Sequence, residues 1–500
     1  MSTRQRTLGL TGLTINTMAL LAPGAFLWTT FQLHAASVDA QGAHTAADMW
    51  PGVVVAVVVA FLTAFAFAEL AHRYPEAGSA SAYYFAEKAF LERETSISRR
   101  WVRVVKFYTG WAAHLFYWVY PGVMLAFMAT LISYLFKTVG GVDVPLWGQI
   151  LFVWLIAFFI GLSAMRGISG STLTSIIINV IQLTTLVMFS ALALMFRDQN
   201  PLNVPAQGWY HADVLSVFLP HSIRGMLLQA GIAIIILAGF ESSTTLAAKA
   251  RNPKRDIPYS VIISLLIQGL LAYLVQYFAA SYSLGAWFGG DLAGRGIQAA
   301  AASAAPIGDM AIALGDTILE GNGIAFMIVL AVTVGAALLA TTLSAMNTGV
   351  RISFAMAQDT ETPELLGLVQ RQVTPYTSVL LMVITSGIVG TIGMLGGVIS
   401  LTGITLASNL GTFALYALIC LLTLIAFRGQ SEFNMLRHTV LPVLGLALNA
   451  FMLLAILAIG LTSGGAITQA TLVAAGIGVF WFVVSVLYIL IIGRRAARRA

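Results

Sequence analysis

Residues Ile236 to Glu241 read I-L-A-G-F-E and residues Leu20 to Phe26 read L-L-A-P-G-A-F, each in the middle of an apolar run long enough to cross a bilayer. A glycine interrupts both runs, with a proline beside it in the first. In hydrocarbon every backbone N–H and C=O must be satisfied internally, which confines spanning structures to helices and closed barrels. A broken helix survives there only where the freed groups meet protein, a lined cavity or a ligand. Two such breaks at matching places in two halves of a chain point to a midplane substrate site of the kind found in inverted-repeat transporters. The two stretches therefore predict an all-α polytopic membrane protein whose first and sixth spans are broken.

Composition agrees. Of the 500 residues, 59% are hydrophobic and 9% charged, against roughly 45–50% and about 25% in soluble globular chains. Twelve apolar stretches reach the roughly 20 residues that a helical crossing needs. Five fill residues 8–197, five fill 223–426, and two more fill 438–492. An odd number per unit makes the second unit enter from the opposite face, which gives a five-plus-five inverted repeat with two trailing helices in one transporter domain over residues 1–500.

The net charge of +6 is a topology signal. Of the 26 Lys and Arg residues, all but Lys137, Arg197, Arg224 and Arg295 fall on the side shared by both termini. The positive-inside rule places that side, and both termini, in the cytoplasm of a cell whose cytoplasmic membrane holds the chain. A nucleic-acid partner is not implied. Arg4 and Arg6 ahead of the first apolar run resemble a signal peptide, but that run is about twice the roughly 7–15 residues of a signal core. It reads as a retained span. The only cysteine, Cys420, lies in an apolar run, so no intrachain disulfide and no Cys-based metal site is expected. No nucleotide-binding loop supports an ATP-driven pump, and no cluster of His, Asp and Glu or nucleophile constellation supports an enzyme.

Punctuation supplies further expectations. Pro51, Pro258 and Pro375 each open a span at or near its first turn, where a missing N–H costs little. The stretch from Ala286 to Asn322, with Asp309 and Asp316, has A-x-x-x-A spacing that suits short helices over the external mouth, or else a passive linker. Trp147 and Trp481 read as interface anchors.

Four motifs in order resemble the amino acid, polyamine and organocation transporter superfamily. They are A-E-L-A-H-R-Y-P-E-A-G-S-A-S-A-Y (Ala68 to Tyr83), A-G-F-E-S-S followed by A-R-N-P-K-R-D-I-P (Ala238 to Ser243 and Ala250 to Pro258), N-T-G-V-R-I-S-F-A-M-A-Q-D (Asn347 to Asp359), and T-P at Thr374 and Pro375. The resemblance runs to about residue 430. It implies five plus five inverted helices, a substrate held at the unwound first and sixth helices, two extra helices that often mediate a homodimer, and alternating access driven by a cation gradient or by exchange.

An amino acid needs donors for its carboxylate and acceptors for its ammonium. The second half of span one offers the free N–H groups of Ala25 and Phe26 with a positive helix end behind them, and Ala22, Pro23 and Gly24 form the break. In span six the carbonyls near Leu237 and Ala238 suit the ammonium, with Gly239 and Phe240 beside them. Glu69 and Glu241 are the carboxylates within or close to the membrane core, and Glu241 has two roles open to it: a proton carrier, or a hydrogen-bonding structural group. In the arginine-type antiporters that this chain resembles, an aromatic residue stands four positions before the matching glycine and another on span eight. Here those positions read Ile235 and Ala345, which favours neutral amino acids over cationic ones, with a polyamine or other organic amine as the alternative. Many proton-coupled relatives carry a lysine where I-N-V-I-Q-L places Gln182. That leaves a sodium ion near Ala22 and Ser344, another proton carrier, or exchange. No cofactor is called for beyond a coupling Na+ or H+. His114 and Trp118 share a face of span three that borders the site by resemblance, and Asn347 and Ser408 are further lining candidates.

Overall fold

A computed structural model of the chain describes residues 7–21, 25–39, 41–75, 81–91, 99–166, 172–290, 292–358 and 375–499. It is helical throughout the described membrane region. Eleven helices among the described residues are long and apolar enough to cross a membrane. The first expected crossing is present as two halves, α1 (Leu10–Leu21) and α2 (Ala25–Ala36). The break predicted at Ala22, Pro23 and Gly24 lies outside the described residues.

In chain order there follow α3 (Met49–Arg73), α4 (Ser81–Leu91), α5 (Arg99–Gly140), α6 (Leu146–Met165), α7 (Thr172–Gln199) and the short α8 (Val214–Phe218). The sixth crossing begins with α9 (Ile223–Ala233). The seventh is α10 (Pro253–Leu265), a π-helical stretch Leu266–Leu274 and α11 (Val275–Ser283). After α12 (Ile297–Ala302) and α13 (Pro306–Ile318) come α14 (Gly323–Gln358), α15 (Tyr376–Leu395), α16 (Gly397–Phe427), α17 (Leu441–Thr462) and α18 (Gly465–Arg499).

Burial sorts the crossings into centre and rim. The sixth is 78% buried and the third 72%, whereas the last two are 28% and 22% buried. The rim helices turn Phe158, Leu454 and Phe480 outward, as expected of side chains facing lipid tails. Hydroxyl residues inside the spans are satisfied locally: Thr63 donates to the carbonyl of Val59 and Thr342 to that of Leu338, four residues back in each case.

Contacts between helix ends divide the molecule into two sides. On one, the backbone N–H of Leu8 donates to the carbonyl of Lys249 at 3.0 Å, the N–H of Arg251 donates to that of Leu8 at 2.8 Å, and His72 donates through Nδ1 to the carbonyl of Lys254. On the other, the Asp48 carboxylate accepts from the N–H groups of His221 and Ser222, and Arg224 donates to Ile459, Thr462 and Ser463. The first side carries most of the basic residues.

Three expectations are refined. Pro253, not Pro258, opens the seventh helix, and Pro258 lies inside it. Pro258 cannot donate to the carbonyl four residues back, which is that of Lys254, and His72 takes this carbonyl at 2.9 Å. The stretch beyond Ala286 does fold into helices, and α13 lies so close to α2 that a Cβ on Gly308 would stand 2.5 Å from the Trp28 ring. Asp309 accepts there from Tyr134 Oη at 2.7 Å and from Ser303, and burial raises its carboxyl above the usual range. Finally, Trp147 is exposed at the start of α6, but Trp481 is no simple interface anchor. It packs on Trp111 and Trp118 and donates through Nε1 to the carbonyl of Trp111.

Candidate functional site

The break in the sixth crossing is built as the sequence predicts. α9 ends at Ala233, a 3-10 turn covers Ile234–Ile236, and Gly239 takes φ 123°, a conformation that glycine alone adopts readily. The chain resumes as a 3-10 helix over Phe240–Lys249. Ten residues is long for a winding that seldom exceeds 3–4 and often marks a functional hinge. The sequence F-E-S-S-T-T supplies a local cause. Ser243, Thr244 and Thr245 donate to the carbonyls of Phe240, Glu241 and Ser242, three residues back in each case. Those bonds match the tighter winding.

Glu241 occupies the break and is buried. Its Oε1 accepts from Tyr117 Oη of α5 at 2.9 Å. Its Oε2 accepts from the Gly239 N–H at 3.0 Å and from Tyr416 Oη of α16 at 3.2 Å. The side chain thus reaches back to cap an N–H freed by the break and ties the turn to two other crossings. The end of α9 is met from the same helix, because Asn409 of α16 donates to the carbonyl of Gly231 at 2.7 Å. The end of α1 is treated likewise, since Gln268 in the π-helical stretch donates to the carbonyl of Met18, while Asn179 of α7 donates one turn earlier, to that of Ile15 within the helix. Helix ends leave four carbonyls without intrahelical partners, and amide side chains supply donors for some of them.

Aromatic rings close around this centre. Phe240 packs on Tyr416 at 5.3 Å and on Phe67 at 6.0 Å. Phe26, in the first turn of α2, packs on Tyr120 at 6.3 Å. The structure therefore joins Tyr117, Glu241, Tyr416, Phe240 and Phe67 through one set of contacts, and Phe26 meets the helix that carries Tyr117 through Tyr120. The halves of the two broken crossings also pair: Leu8, just before α1, bonds to Lys249 and Arg251, and in α2 His34 exchanges hydrogen bonds with Gln229 of α9.

Other predicted positions fall as follows. Ala25, Ile235, Ala238, Ala345 and Ser408 are fully buried, and Ser408 Oγ, next to Asn409, is without a partner among the described residues. Ser344 and Asn347 are half-buried on α14. Gln182 is fully buried on α7 with neither amide atom partnered among the described residues. His114 and Trp118 stack on each other at 4.9 Å, and both reach Ser353 of α14. Both also pack on Trp481 of α18, and His114 packs on Trp111. The polar contact to Glu241 comes from Tyr117 instead. Glu69 lies at the basic-rich end of α3, 3.7 Å from Arg437 and 3.2 Å from His438.

Sequence reasoning missed Tyr117, Tyr416, Asn409 and Gln268. A carboxylate inside a membrane calls for donors, and the tyrosines of L-F-Y-W and A-L-Y-A were the available signal. Asp48, the residue before α3, is a further buried carboxylate, held at the helix end by the N–H groups of His221 and Ser222.

A family model described as amino acid permease matches residues 29–499. The chain belongs to the amino acid permease family. It is 23% identical over 381 residues to "Aromatic amino acid transport protein AroP" of Escherichia coli, covering 75% of this chain and 73% of the relative, and 24% identical to the Salmonella typhimurium protein of that name over the same shares. It is also 25% identical over 245 residues to "Cationic amino acid transporter 4, vacuolar" of Arabidopsis thaliana, covering 47% of this chain and 37% of the relative. This permease spans well under half the length of that plant relative. The permease is thus a multi-pass membrane protein of an amino acid transport family and not an enzyme.

Proposed function

We propose that this permease carries neutral, zwitterionic amino acids by alternating access, with the substrate held between the start of α2 and the Gly239 turn. On this reading the N–H groups of Ala25 and Phe26 take the carboxylate, and the carbonyls near Leu237 and Ala238 take the ammonium. The observation that carries the proposal is the state of Glu241. Three protein donors already engage its two oxygens, so it is not an open counter-charge for a second cation on the substrate. The aliphatic Ile235 and Ala345 offer no face on which a guanidinium stacks. Among the relatives, the name of one group says aromatic and that of the other cationic; the geometry favours a single-ammonium substrate.

Two inverted units of five crossings, with α17 and α18 added, are the framework we propose for this cycle, and the pairing of α1 with the 3-10 helix and of α2 with α9 supports it. The basic excess supports a cytoplasmic-membrane orientation with both termini inside. Without a lysine at Gln182, sodium, a different proton carrier or exchange drives the cycle.

Uptake into proteoliposomes tests the reading. Phenylalanine, leucine and alanine are expected to compete with a labelled neutral substrate, and arginine and putrescine are not. Strong competition by arginine or putrescine, with none by neutral amino acids, overturns it. Replacing sodium by choline at several pH values assigns the coupling ion. Glu241→Gln puts an amide in place of an acceptor that three donors share, and uptake should fall at least tenfold at every pH. A variant that keeps full uptake but loses its pH dependence would instead make Glu241 the proton carrier.

A further inference from the structure

We propose that the groove between the ends of α3, α10 and α17 on the basic-rich side binds an anionic phospholipid, with its phosphate at the rim and an acyl chain along the wall. The groove has a volume of about 690 Å³. Lys254, Arg255 and Arg437 stand at its rim, and Phe65, Ile262 and Leu441 form its wall.

The charge at the rim is not cancelled from within. Glu69 is the one carboxylate among the lining residues, and Arg437 and His438 share it at 3.7 Å and 3.2 Å. His438 is held in place by stacking on Phe427 at 3.7 Å. Lys254 and Arg255 are exposed and make no ion pair among the described residues. Their position is fixed nonetheless, because the carbonyl that Pro258 leaves open is the one His72 takes. The first turn of α10 is thereby fastened to the end of α3.

Depth separates the two chemistries. Phe65 lies eight residues before the end of α3 at Arg73, about two turns or ~12 Å further into the bilayer. Phe65 is 38% exposed there. A free phosphate would engage the rim and leave this apolar wall uncovered, whereas a phospholipid covers both. Basic pockets between spans at the cytoplasmic face are a known means of holding acidic headgroups, each Lys or Arg adding attraction.

The full chain, purified in detergent, is titrated with phosphatidylglycerol or phosphatidylcholine and bound lipid is read by native mass spectrometry. Phosphatidylglycerol should bind at least tenfold more tightly than phosphatidylcholine. That preference should vanish in Lys254→Gln/Arg255→Gln, whose monodispersity on size exclusion reports folding. Arg437→Gln is a separate variant with the same expected direction, and raising the salt should release the lipid from the unaltered protein, which needs no variant at all. Equal binding of the two lipids, or a preference insensitive to both variants and to salt, overturns the proposal. So does displacement of the lipid by inorganic phosphate at matched concentration, which would make the occupant a soluble anion. Lipid retention is read without transport, so a failure here is distinct from a failure of the substrate assignment.

Discussion

Gly239 carries the strain of the sixth crossing. Its φ of 123° lies where a Cβ meets the neighbouring backbone, and holding another residue there costs on the order of 1–3 kcal/mol. Gly239→Ala should therefore lower the unfolding temperature of the detergent-solubilised protein and reduce uptake more than any alanine placed in the rim helices. Glu241 is the counterpart of this glycine, since one of its oxygens caps the Gly239 N–H. Hydrogen bonds to a charged group are worth roughly 1.5–3 kcal/mol, so the three that converge on Glu241 hold the turn in one geometry. This is why Glu241→Gln is expected to act on uptake at all pH values. The glycine could be read from its place in an apolar run. The donors could not, because Tyr117 and Tyr416 come from other crossings, 124 and 175 residues away, and no local pattern encodes that meeting.

Between elements, small residues set the distances. A Cβ on Gly52 of α3 would lie 2.5 Å from Gln229 Cβ and 2.8 Å from the Ala230 nitrogen of α9, so those two backbones touch. Close approach through small residues is the usual way that helices associate in lipid. Gly52→Leu should push α9 away and cost about 1–3 kcal/mol, seen as a lower unfolding temperature and loss of monodispersity. The loop between α7 and α9 supports a different prediction. His211 donates or accepts through Nε2 at Ser281 Oγ, 3.0 Å away, and burial pushes its imidazole down to about 4, with His221 acting in the same direction. Unfolding returns it to the ordinary value near 6.5. The unfolded chain thus binds the extra proton between those limits, so stability is full above pH 6.5 and falls as pH drops toward 4. The contribution is on the order of 1–3 kcal/mol. Thermal unfolding of His211→Asn between pH 4 and 7 should show a flatter pH dependence than the unaltered protein.

At the scale of the whole molecule, the sequence was most legible where one property acts alone. Apolar length located the crossings. Proline position was less reliable: Pro258 looks like a helix start, yet a neighbouring histidine satisfies the carbonyl it frees, so the helix begins at Pro253. His114 and Trp118 show a related limit. Their spacing correctly gave a shared face, but the partner of that face is decided by how α18 packs, and Trp481 had looked like an interface residue.

The seam between Leu8 and the end of the sixth crossing has an evolutionary consequence. It consists of two hydrogen bonds between main-chain atoms, Leu8 to Lys249 and Arg251 to Leu8, so it is indifferent to which side chains occupy those places. Substitutions at residues 8, 249 and 251 can accumulate without unpicking it. Proline is the exception, because Leu8→Pro deletes one of the two donors. Such a stitch leaves no trace in residue identity, and two broken helices can stay yoked through long divergence while the letters at their junction drift.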